Sequence, residues 1–378
     1  MESTDILIIG AGMAGASLAY HLAPHARVFI LERESQPGYH TTGRSAAMYV
    51  ETYGNATIRA ITTASKSFYL HPPEGFAEHP LLTPRGALIV GDAAHRDALR
   101  QAWQDMRRLA PAIEWWSQPE ILQRVPALRP EAAACAVYDP DAMDMDVHAI
   151  HQGFLRGARA AGARLVCDAG VTRIERADGL WRVQTAAGAF AAPVLVNAAG
   201  AWCDELAGLA GVIPVGLVPK RRTAFTFEAP SALDSGAWPI VIDADEQFYI
   251  KPEAGLLLGS PANEDPVPPQ DVQPEELDVA IAVDRIERAT TLQVKRVRRQ
   301  WAGLRSFVGD KTPVVGFAPD APGFFWLAGQ GGYGIQTAPA LGELAAALVR
   351  GLPLPAHIAA FGVRAEDLAP ARAGLRPD

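Results

Sequence analysis

The chain has 378 residues, 49% of them hydrophobic and 20% charged, a balance that excludes a globally disordered polypeptide. Its net charge of -8 excludes a general nucleic-acid binder, which needs a basic face, but leaves room for a local cationic pocket. The length suits two domains or one large α/β unit, at about 150 residues per domain. Cys135, Cys167 and Cys203 form no CxxC pair, zinc pattern or even disulfide set, and are expected as buried thiols of a reducing cytoplasm. No basic stretch precedes an apolar core at the start, so no secretory leader is expected. The apolar run at 338–349 contains Pro339 and Glu343 and is too short to cross a bilayer. A cytoplasmic protein is expected, with peripheral contact at the inner face of the membrane left open.

In chain order, residues 5–9 read as a strand, followed by Gly10-Ala11-Gly12-Met13-Ala14-Gly15 and a helix to about Leu22. A second apolar strand at 27–31 ends on Glu32, completing a βαβ unit of a doubly wound sheet. Apolar residues recur at helical spacing over 146–161, and Gly162 stops them. Residues 171–175 and 181–185 read as strands, and 194–197 as a buried strand running into the turn Ala198-Ala199-Gly200. A last buried strand at 324–328 leads through a glycine cluster to a helix at 337–349. The regions 78–145 and 217–303 mix alternating strands (225–227, 247–251, 256–259) with proline-rich loops, of which 261–274 is expected to be exposed. The pattern predicts an α/β nucleotide domain built from 1–77, 146–216 and 304–378. It is interrupted by 78–145 and 217–303, which form a second domain on an antiparallel sheet.

Gly10-x-Gly12-x-x-Gly15 stands where a dinucleotide site needs it, after a strand and opening a helix. The glycines permit a tight turn, approach of the pyrophosphate and close helix–strand packing, and the helix N-terminus supplies amide donors. Glu32, twenty residues beyond Gly12, is placed to accept from ribose hydroxyls. The motif does not separate NAD from FAD. Three features favour FAD: a fingerprint ten residues from the start, a second glycine stretch Thr41-Thr42-Gly43-Arg44-Ser45-Ala46-Ala47, and a distal cluster Gly329-Gln330-Gly331-Gly332-Tyr333-Gly334-Ile335-Gln336-Thr337. The helix after that cluster is expected to point its positive end where a reduced flavin pyrimidine gathers negative charge.

Together with Asn197-Ala198-Ala199-Gly200-Ala201-Trp202 and Trp301-Ala302-Gly303-Leu304-Arg305, these motifs resemble the D-amino acid oxidase superfamily. Within it, Gln36-Pro37-Gly38-Tyr39-His40, Pro219-Lys220-Arg221-Arg222 and Gly259-Ser260-Pro261-Ala262-Asn263 are similar to the bacterial D-arginine dehydrogenases. The resemblance runs nearly end to end. It implies a glutathione-reductase-type FAD domain with an interleaved substrate domain, and a noncovalent FAD held by Gly10, Gly12, Met13, Ala14, Gly15, Glu32, Arg33, Gly43, Arg44, Ser45, Ala46, Val171, Ala199, Gly200, Gly331, Gly332, Tyr333, Gly334, Ile335, Gln336 and Thr337. It further implies that Arg222 and Arg305 grip a substrate carboxylate, with Tyr249 bonding to it and Tyr53, in a mobile stretch at 50–55, closing over it. The Gly332 carbonyl would meet the α-amino group. Two forked guanidiniums match a carboxylate, each charge-assisted bond contributing about 1.5–3 kcal/mol. The expected reaction is hydride loss from Cα to the flavin, then hydrolysis of the released imino acid to a 2-oxo acid and ammonia. Positioning does most of this work, and no side-chain general base is expected.

The departures from that group bear on substrate choice. The resemblance implies an acid at the position of Ala87 and polar residues at Met48 and Val50. Three apolar residues there would leave a buried guanidinium without a counter-charge, at a cost of about several kcal/mol. An apolar side chain would instead gain about 25 cal/mol per Å² buried. Uncharged D-amino acids are therefore expected to be preferred over D-arginine, unless an acid such as Glu51 or Glu246 stands in.

His148-x-x-His151 lacks a third ligand and is expected on a partly exposed helix face, and Trp115-Trp116 in the packing of the substrate domain. Asp141, Asp144 and Asp146 resemble a loop that caps a helix more than a calcium site, and no metal is expected. Three alternatives stand beside the D-amino acid reading: an enzyme for glycine, a secondary amine or a 2-hydroxy acid; a non-catalytic flavin sensor; and an NAD-dependent dehydrogenase. The resemblance alone suggests a quinone or respiratory electron acceptor.

Overall fold

A computed structural model describes residues 1–375. A six-stranded sheet runs in the order Arg164–Val166, Val28–Leu31, Ile6–Ile9, Val194–Asn197, Phe324–Ala328, Val314–Phe317. Its first five strands are parallel and the last, at the edge, is antiparallel. Ile6-Leu7-Ile8-Ile9 is apolar throughout because both faces of this sheet are covered. Ile6 and Ile8 face the helices Met13–Leu22, Val147–Ala160 and Gly334–Val349. Leu7 and Ile9 face the antiparallel strands Val171–Ala177, Leu180–Thr185 and Gly188–Ala192, through Trp181, Val183 and Phe190.

The helix Ala56–Leu70 has no counterpart in the sequence reading. Its signals are local: the Asn55 side chain accepts from Ile58 N at 3.0 Å, and Ile58, Ile61, Ser65 and Tyr69 are buried at helical spacing. The last long helix begins at Gly334, three residues before the expected 337. Pro339 inside it cannot donate to the Ile335 carbonyl, and the Tyr69 hydroxyl does so instead.

The second sheet has nine strands. Val297–Phe307 and Asp265–Pro266 both pair with Val218–Phe227, and the order continues through Leu256–Ser260, Tyr249–Glu253, Ile240–Asp243, Ala87–Gly91, Cys135–Asp139 and Glu114–Ser117. All pairings are antiparallel except Ile240–Asp243 beside Ala87–Gly91, so the sheet is mixed at one point. Alternate residues go to opposite faces. Phe225, Phe227, Val241, Ile250, Leu257, Leu88 and Val90 form one face, packed under the helix Glu276–Ala289. Arg222, Ala224, Tyr249, Ile242, Ile240, Ala87 and Ile89 form the other, which lines the central cavity. The sequence reading placed only strands and loops in these regions, yet they also hold Glu276–Ala289 and Arg96–Leu109. In the latter Leu99 is the one buried residue, so its apolar stripe is too thin to read. Trp116 stacks on Tyr138 at 4.0 Å, and Trp115 contacts Trp103, as packing residues of this sheet.

The loop at 261–274 is less free than its prolines suggest: Asp265–Pro266 joins the sheet and Val272 is buried. Asp146 caps its helix, accepting from Ala149 N at 2.8 Å. Asp144 belongs instead to the strand Met143–Met145, paired with Arg85 at 2.6 Å and Lys251 at 2.8 Å. No helix among the described residues is long and apolar enough to cross a membrane, and no group of three or more His, Cys, Asp or Glu side chains there is placed to hold a metal.

Phe154 lies fully buried between the first sheet and its helices, stacked on Phe68 at 5.5 Å and edge-on to Phe76 and Tyr20. Phe154→Ala is expected to cost about 3–5 kcal/mol of stability, read as a lower denaturant midpoint.

Candidate active site

A cavity of about 950 Å³ runs from the first strand–helix turn to the inner face of the nine-stranded sheet. At its first end Gly10 has φ +104, and a Cβ there would lie 2.4 Å from the Ala198 carbonyl oxygen. A Cβ on Gly15 would lie 2.0 Å from the Gly10 oxygen, so helix and turn meet backbone to backbone. Gly12, by contrast, would meet only Thr42 Oγ1 at 3.4 Å, which leaves its side of the turn open to the cavity. Glu32 is buried at the end of the second strand. Its Oε2 accepts from Ala11 N at 2.9 Å and its Oε1 from Glu34 N at 3.1 Å. The same carboxylate thus fixes the glycine turn while its edge faces the cavity. Thr42 Oγ1 accepts from Met13 N at 3.0 Å, a cap the sequence reading did not assign. His148 is exposed as expected, but His151 is buried, with Nε2 2.8 Å from Ala11 O. Burial holds that imidazole below its usual pKa, so the neutral ring donates to the carbonyl and braces the turn.

Of the residues expected at the cofactor, Gly10, Gly12, Met13, Ala14, Glu32, Arg33, Arg44, Ser45, Ala46, Val171, Ala199, Gly200 and residues 331–336 line the cavity. Gly15, Gly43 and Thr337 do not. Gly15 is used in helix–turn packing, Gly43 lies against the Gly38 carbonyl, and the Thr337 hydroxyl donates to Tyr333 O at 2.9 Å. Arg44 is occupied structurally: it donates to Val272 O at 2.9 Å and Ala302 O at 3.2 Å and pairs with Asp271, tying the turn at Thr42–Arg44 to the strand Val297–Phe307 and the loop beside it. None of the three cysteines is on the cavity wall. An open glycine cradle, a carboxylate at the second strand and two helix N-termini facing one cavity fit the pyrophosphate, ribose and flavin ends of FAD.

At the far end, Arg222 and Arg305 come together from the neighbouring strands Val218–Phe227 and Val297–Phe307. Arg222 Nε donates to Asn263 O at 2.8 Å, and Arg305 Nη2 donates to Tyr53 Oη at 2.7 Å. Burial lowers the Arg222 pKa, and the neighbouring Arg305 lowers it further. Burial acts against the Arg305 cation too, but Tyr53 and Glu264 outweigh it and hold its pKa above the usual value. Gly332 lies flush on this guanidinium: a Cβ there would be 1.9 Å from Arg305 Nη2. Tyr53 is at the cavity mouth, its ring 4.9 Å from that of Tyr333, and Tyr249 projects from the sheet close to both arginines.

Met48 and Val50 pack against Ala87, Ala142 and Ile240, forming an apolar compartment beside the arginines. Glu51 is paired with Lys66 and is not on the cavity wall, and Glu246 is exposed at the rim. The acid that sequence reasoning missed is Asp139. It is the register partner of Ala87, buried and on the cavity wall. Its Oδ1 accepts from Asp141 N at 3.0 Å, and burial raises its pKa.

A parallel sheet with a glycine cradle, opening onto a second sheet with paired arginines, defines a flavin-dependent oxidoreductase site. Residues 5–348 match the FAD dependent oxidoreductase family (DAO), and the chain belongs to it, with FAD as its cofactor. The uncharacterized oxidoreductase YurR of Bacillus subtilis is 27% identical over 363 residues, 91% of this chain and 94% of that one. A glycine oxidase of Bacillus licheniformis is 26% identical over 366 residues, 93% of this chain and 94% of that one. The crystal structure of glycine oxidase from Geobacillus kaustophilus shares the fold, with a TM-score of 0.80 at 24% identity over 96% of this chain and 99% of that one.

Because Gly332 abuts Arg305, Gly332→Ala is expected to push the guanidinium aside while flavin stays bound. Affinity for benzoate, a simple carboxylate probe read by flavin absorbance, is expected to fall at least about tenfold, as for a lost charge-assisted bond.

Proposed function

We propose that the protein is a D-amino acid dehydrogenase that oxidises the α-carbon of small, uncharged D-amino acids. The observation that carries this reading is the placement of Arg222 and Arg305 together on one cavity wall, beside the apolar compartment of Met48, Val50 and Ala87. The D configuration rests on the motif resemblance to D-arginine dehydrogenases. Bound FAD supplies the two-electron acceptor. The chain's own residues do the rest by orientation: the arginines, with Tyr53 and Tyr249, hold the carboxylate, and the Gly332 carbonyl takes the amine. These two anchors fix the direction of the Cα–H bond. The imino acid leaves and is hydrolysed to a 2-oxo acid and ammonia.

Asp139 supports a second reading. An acid directly across from Ala87 is one strand removed from where an arginine-specific site would place it, and would receive a cationic side chain. The glycine oxidases among the relatives support a third, in which the compartment stays empty.

Anaerobic bleaching of the flavin decides among them. D-leucine, D-methionine and D-phenylalanine are expected to bleach it faster than D-arginine, glycine or sarcosine, and L-enantiomers not at all. D-arginine matching or exceeding D-leucine, with that D-arginine rate lost in Asp139→Asn, would move the assignment to cationic substrates. Fastest bleaching by glycine or sarcosine would sink the D-amino acid reading. Arg222→Met and Arg305→Met are each expected to lower kcat/KM by about 10- to 150-fold, the worth of one charge-assisted bond. Ala87→Glu is expected to raise the D-arginine to D-leucine ratio of kcat/KM.

A further inference from the structure

Four cationic side chains converge on one carboxylate behind the arginine pair. Glu264 Oε1 lies 3.1 Å from Arg305 Nη1 and 3.4 Å from Arg222 Nη2. Its Oε2 lies 3.2 Å from Lys220 Nζ and 3.8 Å from Lys311 Nζ. Glu264 is half-buried and stands outside the cavity wall, on the far side of the guanidiniums. The loop that carries it is built for the purpose. Ala262 turns the chain at φ 52, the Asn263 side chain accepts from Thr223 N at 2.9 Å, and the Asn263 carbonyl takes Arg222 Nε. Burial works against the Glu264 anion, but Arg305, Lys220 and Lys311 outweigh it and keep the carboxyl below its usual pKa.

We propose that Glu264 is a positioning residue for carboxylate recognition: it grips the outer edges of both guanidiniums, so that their remaining donors are presented together to the cavity. The inference rests on Arg222 and Arg305 being the carboxylate clamp. Two guanidiniums side by side repel each other and swing apart on flexible stems unless something binds both. A shared oxygen does that in one geometry. Left uncompensated, however, the same carboxylate would repel the substrate. Lys220 and Lys311 offset it, and four cations against one anion leave the cluster positive toward an incoming carboxylate.

The experiment measures benzoate Kd by flavin absorbance, and KM and kcat for the best amino acid substrate, in the holoenzyme. Glu264→Ala is expected to raise benzoate Kd and substrate KM at least about tenfold, with flavin content unchanged. Glu264→Gln keeps an oxygen that accepts from both arginines and is expected to stay within about threefold of wild type. If Glu264→Ala does not fold, Glu264→Asp replaces it. That variant keeps the charge but withdraws the oxygens, so it too is expected to raise Kd and KM. Wild-type Kd in Glu264→Ala or Glu264→Asp would overturn the proposal, as would Glu264→Gln binding as weakly as Glu264→Ala. Arg222→Met and Arg305→Met separate the two failures. If they leave benzoate Kd unchanged, the clamp itself is wrong. If they weaken it while the Glu264 variants do not, only the role of Glu264 falls.

Discussion

Two guanidiniums held side by side and largely out of water are an expensive arrangement, and the local structure at this end of the molecule is organised around keeping it. Desolvation acts against both cations, and Arg305 further disfavours the Arg222 cation. What offsets this is a set of acceptors: the Asn263 carbonyl and the Glu264 carboxylate on the outer edges, and the Tyr53 hydroxyl at the cavity mouth. Removing the Asn263 carbonyl or the Glu264 carboxylate leaves a largely buried donor unpaired, which costs more than the bond itself contributed. The side chain missing at Gly332 belongs to the same arrangement, because the Arg305 plane occupies the space a methyl would need.

The alternation of the strand decides which basic residue serves the site. Lys220, Arg221 and Arg222 are consecutive, and composition cannot distinguish them. On the strand Val218–Phe227, Arg222 faces the cavity and Arg221 faces the opposite side, where it is buried against Asp278 at 2.9 Å and also pairs with Glu275. Lys220 shares the face of Arg222 and is the register partner of Arg305, which brings it to Glu264. A register slip of one residue would exchange these roles and bury the wrong charge in each place. The same alternation brings Ala87 and Asp139 to one wall from strands that are far apart in sequence.

At the other end of the cavity the constraint is steric. The dinucleotide turn packs backbone against backbone at Gly10 and Gly15, and its free amides are held by side chains from elsewhere in the chain, Glu32 and Thr42. His151 closes the arrangement from a helix that the sheet itself positions. Core packing and cofactor recognition are therefore one structure here.

How far the sequence alone reached follows from which interactions are local. The strand at 6–9, the glycine turn and Glu32 were legible because tight turns and doubly covered strands restrict residue type within a few positions. Arg305, Tyr249, Met48, Val50 and Ala87 came from motif resemblance, and all five line the cavity. The helix Ala56–Leu70 was missed although its cap and spacing are local, whereas Arg96–Leu109 has too thin an apolar stripe to reveal itself. Thr42, His151, Asp139 and Glu264 were not legible, since each acquires its role from a partner 29 to 140 residues away, set by strand register and loop path. The sequence by itself determined the glycine turn and the doubly covered strands around it, because backbone sterics and burial patterns are written in consecutive residues. Only the tertiary structure decided which charges meet in the site, because a side chain's neighbours depend on the order and register of strands that sequence spacing does not encode.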